Sequence, residues 1–445
     1  MDAGLGAAAL LFLAMLALMA LRMPIWVAMF VPGAAGYVWL ASGDAWLAYL
    51  KGLAFARFSI YDLSVVPLFI LMGQLASQGG LSQALFRAAA AFVGHWRGGV
   101  AQASVLACAA FGAVCGSSVA TAATIGQVAL PEMRRYRYEP ALATATVAAA
   151  GTLGILIPPS VVLVIYAIIA EQNIAKLFAA ALLPGLLAAV GYCGAIALYC
   201  RRHPQAGPAE PRQAAGVRLR TLAAVWPVLA IFGGVFGGIY GGVFTAVEGA
   251  AVGVLLTLGA GALRGELRWR GLRRALLATA VTTGMIFMIF VGADMLNAAL
   301  ALTQMPARIA AAVARLDLPP LAIVAAILLF YIVLGGVMDE LSMLLLTLPV
   351  LLPTVLGLEL FGLAPQDKAI WFGILVLCVV NIGLIAPPVG LNVYVVQGVA
   401  RGVLAPVPLG AVYRRVMIFL AADAVRLALL LAFPALSLWL VSFVG

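Results

Sequence analysis

This chain contains very few charged residues for its length. Only 9% of its 445 residues are charged, whereas 65% are hydrophobic and the mean hydropathy is +1.14. A soluble domain carries about 25% charged residues because its surface must be hydrated. Residues 3–21, 102–131 and 140–170 contain no charge at all, and roughly 20 apolar residues are enough to cross a bilayer as a helix. The composition excludes a soluble protein and predicts a multi-pass protein of the lipid bilayer.

The residue types that most often bind metals or phosphates are scarce as well. The two histidines, His95 and His203, stand beside arginines in predicted loops, and the five cysteines show no CxxC spacing, so we expect no His or Cys metal centre. The three lysines form no GxxxxGK(S/T) loop, which argues against an ATP-driven pump. Asp62 and Asp294 match the YD and GxGD motifs of an intramembrane aspartyl protease poorly, since Ala293 interrupts the second one. We therefore expect neither an enzyme nor an organic cofactor.

The net charge of +10 comes mainly from arginines that lie between the apolar runs. They concentrate at residues 134–137, 201–220 and 264–274. Basic residues next to membrane spans mark the cytoplasmic side, so the charge does not indicate nucleic-acid binding. The apolar stretch between the last two clusters has room for two helices of about 20 residues, which places both clusters on the same side.

Two double prolines occur in matching surroundings, separated by about half the chain. The segments are GILIPPSVVLVIY (154–166) and GLIAPPVGLNVY (383–394), and their first glycines and both prolines align. Each has a glycine-containing segment with polar residues upstream, at 111–126 and 334–346. Corresponding interrupted hydrophobic segments in two halves point to the binding site of a secondary transporter.

Such breaks have a physical use inside a membrane. A proline removes one backbone donor and clashes with the carbonyl four residues earlier, so two in a row stop a helix. Hydrocarbon cannot satisfy the freed N–H and C=O groups, so the break must line a cavity or be buried in protein. Freed carbonyls can then bind a cation, while the positive N-terminal ends of half-helices face an anion. The pattern predicts an ion-coupled carrier; a channel with a re-entrant filter is the less favoured alternative.

Five segments resemble the large membrane subunit of tripartite ATP-independent periplasmic (TRAP) transporters. They are PLFILMGQLASQGGLS (67–82), HWRGGVAQASVLACAAFGAVCGSSVA (95–120), GTLGILIPPSVVLVIY (151–166), NIGLIAPPVGLNVYVVQGVA (381–400) and FPALSLWL (433–440). The resemblance runs over nearly the whole chain in the order typical of the family. It implies an all-α polytopic membrane protein of the ion transporter superfamily, with an inverted-repeat, elevator-type fold, two re-entrant hairpins and broken helices.

The resemblance also implies a function and partners. Members of the family use a sodium gradient to take up organic anions, such as C4-dicarboxylates or sugar acids, across the bacterial inner (cytoplasmic) membrane. A periplasmic substrate-binding protein delivers the anion, and a small membrane subunit completes the complex. An ion-coupled anion carrier that works alone, without these partners, is the alternative within the same transporter class.

Carried over to this chain, the resemblance implies two sodium (Na+) sites, with the substrate carboxylate between the hairpin tips. The first site comprises Gly116, Ser117, Ser118, Gly154, Pro158, Pro159 and Ser160. The second comprises Gly335, Gly336, Asp339, Gly383, Ala386, Pro387 and Pro388, with Asn392 nearby. The chain departs from the common family pattern at Thr121, where many members have an acidic residue, and at Ala386, where Thr or Ser is common.

The resemblance and the pattern of spans divide the chain into six regions. They are N-terminal scaffold helices with an amphipathic interfacial arm at 43–63 (1–63), a first transport region with the first hairpin (64–200), a cytoplasmic linker (201–220), second-half scaffold helices and arm (221–300), a second transport region with the second hairpin (301–407) and a C-terminal scaffold helix (408–445). Residues 1–20 read as a first membrane helix and not as a removed signal peptide. Predicted helices end at 115 and resume at 139, and one helix is predicted over 408–442.

Three acidic residues in apolar surroundings have both a functional and a structural interpretation. Asp339 is either a ligand or an N-cap of the helix that follows it. Asp294 either functions or packs between helices, and the sequence shows no partner for it. Glu248 forms a Thr245-x-x-Glu248 capping box, which favours a structural role.

Overall fold

The computed structural model describes residues 3–314, 318–336 and 338–444 of the chain. Within these ranges the chain is helical, and the only bridge of β type is an isolated one between Arg401 and Leu404. Four helices are individually long and apolar enough to cross a membrane, or up to eight if each bent pair of helices counts as one span. The structure confirms an all-α polytopic membrane protein.

The described residues of the first half contain eleven α-helices, the last of which is a long span. They are α1 (Ala3–Ala20), α2 (Ile25–Leu40), α3 (Gly43–Phe58), α4 (Val65–Gln78), α5 (Leu81–Val93), α6 (Gly99–Cys115), α7 (Ser118–Arg135), α8 (Pro140–Gly151), α9 (Leu153–Leu156), α10 (Val161–Ile169) and α11 (Ile174–Arg202). A short 3-10 turn at Tyr61–Ser64 joins α3 to α4.

The second half contains another eleven α-helices within the described ranges. They are α12 (Ala215–Ala223), α13 (Trp226–Tyr240), α14 (Ala246–Leu263), α15 (Trp269–Leu302), α16 (Met305–Ala314), α17 (Pro320–Gly335), α18 (Glu340–Leu356), α19 (Pro365–Gly383), α20 (Leu391–Ala400), α21 (Leu409–Ala432) and α22 (Ala435–Leu438).

Two predictions about helices were wrong. The segment after Cys115 is not an irregular stretch but the full helix α7, which is separated from the end of α6 by only two residues. The chain over 408–442 is not one helix either. Helix α21 ends at Ala432, and the chain then turns by 89° into α22 and a 3-10 turn. The helix ends here because Pro434 cannot continue it and disfavours helical geometry at the residue before it.

Helices α2 and α15 pack closely through small residues. A Cβ on Gly33 would lie 2.6 Å from the Leu296 backbone, and a Cβ on Gly292 would lie 2.5 Å from the Trp26 carbonyl oxygen. Glycines at both crossings let the two backbones approach, which is how helices associate without a hydrophobic driving force between them. These helices form a close contact between the two halves.

The interfacial arm α3 is bound to α15 by an ion pair. Arg57 Nε donates to Asp294 Oδ2 at 2.6 Å, Arg57 Nη2 donates to Asp294 Oδ1, and the guanidinium also lies 5.4 Å from the Phe290 ring centre. Phe58 stacks on Phe287 beside it. Asp294 therefore has a partner, which supports the packing interpretation of this residue.

The capping box predicted at the start of α14 is confirmed. Glu248 N–H donates to Thr245 Oγ1 at 3.3 Å, and Thr245 N–H donates to Glu248 Oε2 at 2.8 Å. The two side chains thus satisfy donors that a helix N-terminus leaves free.

The helices that follow the two double prolines pack across the halves. Helix α20, from the second half, packs against α7 and α8 of the first. Helix α10, from the first half, packs against α18 and α19 of the second. The two halves of the chain are interlocked by this exchange.

The C-terminal helix α21 packs against α8, α11 and α19. Inside this contact lies a buried ion pair between Asp423 and Arg426, whose side chains are 1% and 4% exposed. These neighbours belong to the regions predicted to move, whereas α21 was assigned to the scaffold. The assignment of the six regions stays a prediction.

Candidate functional site

The two breaks meet at one cavity of about 400 Å³. Its lining includes the first residues of four helices, α7, α10, α18 and α20, so four helix N-termini converge on it. The remaining walls come from α4 and α15. The cavity therefore lies between helices of both halves of the chain.

Three of these N-termini carry a side-chain cap. Ser117 Oγ accepts from the Ala120 N–H at 3.4 Å, and Ser160 Oγ accepts from the Leu163 N–H at 3.3 Å. Asp339 Oδ2 accepts from the N–H groups of Leu341 and Ser342, both at 3.2 Å. The N-cap interpretation of Asp339 is confirmed, and its second oxygen, Oδ1, is buried without a hydrogen-bond partner. Asp339 can thus cap α18 and still offer a free oxygen.

The fourth N-terminus begins after a glycine in left-handed geometry. Gly390 has φ +57° and precedes α20. A Cβ there would be strained by the backbone geometry alone, so the turn out of the second double proline depends on this glycine.

Oxygen atoms surround the first break at close range. A Cβ on Gly154 would lie 2.4 Å from Thr121 Oγ1 and 2.7 Å from the Ser117 carbonyl oxygen. A Cβ on Gly116 would lie 2.8 Å from the Pro159 carbonyl oxygen. Thr121 Oγ1 is buried and has no hydrogen-bond partner. The structure brings the predicted residues of the first site together and adds Thr121 to them.

The second break has the same close approach of glycines. A Cβ on Gly383 would lie 2.9 Å from the Gly335 Cα, and a Cβ on Gly336 would lie 3.3 Å from Pro388 Cδ. Two nearby side chains are fully buried with unpartnered polar atoms: Ser342 Oγ, and both Oδ1 and Nδ2 of Asn381. The structure thus brings Gly335 next to Gly383 and Gly336 next to Pro388, and Ala386 is buried.

The two breaks differ in exposure. Both double prolines contain a cis peptide bond. Pro158 and Pro159 are buried, whereas Pro387 and Pro388 are exposed. One break is thus closed within the protein and the other reaches its surface.

Asn392 was predicted near the second break, but its side chain also contacts the first half of the chain. Its Nδ2 donates to Ser118 Oγ at 2.6 Å and to the Ala148 carbonyl oxygen at 3.2 Å, and all three residues are buried. Its Oδ1 has no partner. Ser118 and Asn392, predicted at different sites, are therefore a single contact between α7 and α20.

The oxygen atoms at the breaks fit a singly charged hard cation. They are carbonyl and hydroxyl oxygens together with the carboxylates of Asp339 and Glu340, and carbonyls at broken helices are ligands that bind sodium in secondary transporters. No group of three or more His, Cys, Asp or Glu side chains occurs in the described ranges. The donor set consists of oxygen atoms, which are the ligands that hard cations prefer.

Sequence reasoning did not predict four polar residues near the breaks whose side chains have unpartnered polar atoms in the structure. Thr121 was noted only as a departure from the family pattern, and Glu340, Ser342 and Asn381 were not singled out. Each lies within or beside the segments quoted for the breaks, but only the folded contacts show that their polar atoms have no partner.

The chain matches a known family over nearly all of its length. The family model described as the tripartite ATP-independent periplasmic transporter, DctM component, matches residues 12–436. The C4-dicarboxylate TRAP transporter large permease protein DctM of Pseudomonas aeruginosa is 34% identical over 389 residues, covering 86% of this chain and 87% of that protein. The isethionate TRAP transporter permease protein DctMQ of Oleidesulfovibrio alaskensis is 30% identical over 369 residues, covering 81% of this chain and 56% of that protein.

A solved structure has a similar fold. The YdaH transporter of Alcanivorax borkumensis superposes with a TM-score of 0.58, covering 88% of this chain and 89% of that chain. The sequence identity is 15%, so this likeness concerns the fold alone.

Proposed function

The chain belongs to the DctM family of TRAP transporters as a large permease subunit, not an enzyme, and from this premise we propose that it imports an organic anion together with sodium. The observation that carries the proposal is the convergence of four helix N-termini on one cavity. Each N-terminus has a partial positive charge of about +0.5, which attracts an anion. The acidic group of the substrate is proposed to bind there.

Sodium is proposed to bind at both breaks. At the first, the carbonyl oxygens of Ser117 and Pro159 and the hydroxyl of Thr121 support a cation. At the second, the free Oδ1 of Asp339 supports one. A sodium ion at each break would offset the charge of the anion between them.

The packing supports movement of an elevator type. Because α10 and α20 each pack on the opposite half, both breaks belong to one interlocked body. This body can shift as a unit against the scaffold contact of α2 and α15, carrying the cavity with it. The buried first break and the exposed second break are consistent with a cavity open on one side only.

The names of the relatives support the proposed partners and substrate class. The names of two relatives give C4-dicarboxylate and isethionate as their substrates, both of which are organic anions. We propose that this chain works with a periplasmic binding protein and a small membrane subunit in the bacterial inner membrane. The matched part of DctMQ is 56% of its length, which leaves room in that relative for such a second subunit.

Asp339 provides a direct test of sodium binding. Replacing Asp339 by Asn retains an N-cap but removes the charge, whereas replacing it by Ala removes both. We expect both variants to need about tenfold more sodium for half-maximal uptake. Only Asp339→Ala should also lose about 1 kcal/mol of helix stability. The measurement is the sodium dependence of uptake in proteoliposomes, together with thermal unfolding of the purified protein.

Asp367→Asn is the matched control, because Asp367 lies in the first turn of α19 and does not line the cavity. It should keep the sodium dependence of the natural chain. An Asp339→Asn variant with unchanged sodium dependence would remove Asp339 from the proposed site.

A further inference from the structure

Glu340 is a second carboxylate in the cavity, and no basic side chain among the described lining residues pairs with it. Glu340 lines the cavity beside Asp339. Its Oε2 atom has no hydrogen-bond partner. None of the described residues that line the cavity is Lys, Arg or His. The described ion pairs, such as Arg57–Asp294 and Asp423–Arg426, involve other acids.

The local helix explains why a charge is tolerated at Glu340 but not what pairs with it. Glu340 is the first residue of α18, where the helix dipole favours a negative charge. The N–H groups of Leu341 and Ser342, however, already donate to Asp339. The Oε2 atom is shielded from water and has no donor, which is costly for a carboxylate, so a ligand in the cavity is the natural source of one.

Many of the other side chains that line the cavity are apolar. Val161, Val162, Met285, Ile286 and Leu391 all line it. A volume of about 400 Å³ accommodates a small organic molecule whose carbon skeleton packs against these side chains. The positive helix ends of α7, α10 and α20 and the carboxylate of Glu340 offer two opposite charges to the same molecule.

We infer, resting on the proposed function, that the transported anion also carries a positively charged N–H group, and that this group binds Glu340. The substrate class is thus a zwitterion such as an amino-carboxylate, with its acidic group at the helix N-termini and its ammonium group at Glu340. Glu340 determines specificity, because it distinguishes this class from an anion that has the same skeleton without nitrogen.

Matched pairs of small acids test the inference. The full chain in lipid nanodiscs, with saturating sodium, is titrated with succinate and aspartate, glutarate and glutamate, and propionate and β-alanine. In at least one pair the amino acid should bind about tenfold more tightly than its nitrogen-free partner. In Glu340→Gln the two members of that pair should bind within about twofold of each other, while Glu340→Asp should keep part of the preference.

Glu359→Gln is the control, since Glu359 is an exposed acid between α18 and α19. It should retain the full preference. The inference is wrong if no pair shows a preference for the amino acid, or if the preference survives in Glu340→Gln. It is also wrong if Glu340→Gln changes only the affinity for sodium. Thermal unfolding of each variant checks that the variant is folded. If Glu340→Gln does not fold, the preference of Glu340→Asp for the amino acid is measured instead.

Stabilisation of the natural chain by sodium, measured without any acid present and compared with potassium, separates this inference from the proposed function. If sodium does not stabilise the protein, the sodium proposal is contradicted. The paired titrations still test the role of Glu340 in that case.

Discussion

Gly154→Ala is expected to reduce sodium-driven uptake by about 100-fold, which corresponds to about 2.7 kcal/mol. The new methyl group would lie 2.4 Å from Thr121 Oγ1 and 2.7 Å from the Ser117 carbonyl oxygen. Since the second contact is with backbone, the hairpin tip must move away from the broken helix. That movement separates the oxygen atoms proposed to bind sodium at the first break. The measurement is the initial rate of uptake per inserted protein in proteoliposomes.

Gly194→Ala is the matched control for this substitution. Gly194 lies within α11, and a Cβ there would meet no heavy atom within 4 Å. This variant should transport at the rate of the natural chain. If Gly154→Ala transports as fast as Gly194→Ala, the oxygen atoms around Gly154 do not form a functional site.

Loss of Asp423 is expected to destabilise the fold by about 3–5 kcal/mol, because it leaves Arg426 as an unpaired buried charge. Arg426 Nη2 lies 2.9 Å from Asp423 Oδ1, and Tyr192 donates to Asp423 Oδ2 at 2.7 Å. Tyr192 in turn lies 3.4 Å from Thr152 Oγ1, two residues before Gly154. The ion pair on α21 is thus connected through Tyr192 to the segment of the first break. Unfolding of Asp423→Ala in mixed micelles measures the effect.

A double variant and a mild variant distinguish the charge from simple packing. Asp423→Leu combined with Arg426→Met removes both charges and should recover much of the stability lost in either single variant. Tyr192→Phe removes one hydrogen bond only and should cost about 1 kcal/mol. Equal stability of Asp423→Ala and the natural chain would show that the pair does not stabilise the fold.

The sequence carried enough information to predict the two breaks. Consecutive prolines cannot continue a helix, and the repetition of the same devices in both halves predicted a paired site; in the structure the helices that follow both breaks line one cavity. Helix caps were predictable for the same reason, since Asp339 and Thr245 stand at the start of apolar runs. Local chemistry determines these features.

Other features depend on contacts between distant parts of the chain. Asp294 showed no partner in the sequence because Arg57 is 237 residues away. The bond between Asn392 and Ser118 spans 274 residues, so the two residues were predicted at separate sites. Helix α7 was missed because the small and polar residues at its start lack the periodic apolar pattern that marks a helix. The Pro434 break was missed because the apolar run continues past it.

The unpartnered atoms of Thr121, Glu340, Ser342 and Asn381 could not be predicted for a related reason. The sequence shows which residues can donate or accept a hydrogen bond. Only the tertiary packing shows which of them are left without a partner.

Sodium-driven uptake by the reconstituted complex tests the central claim most directly. The chain is placed in proteoliposomes with its small membrane subunit, and a binding protein loaded with radiolabelled organic anion is added outside. Uptake should require both the binding protein and an inward sodium gradient, and should stop when the gradient is collapsed. Uptake at the same rate without a sodium gradient would contradict the account.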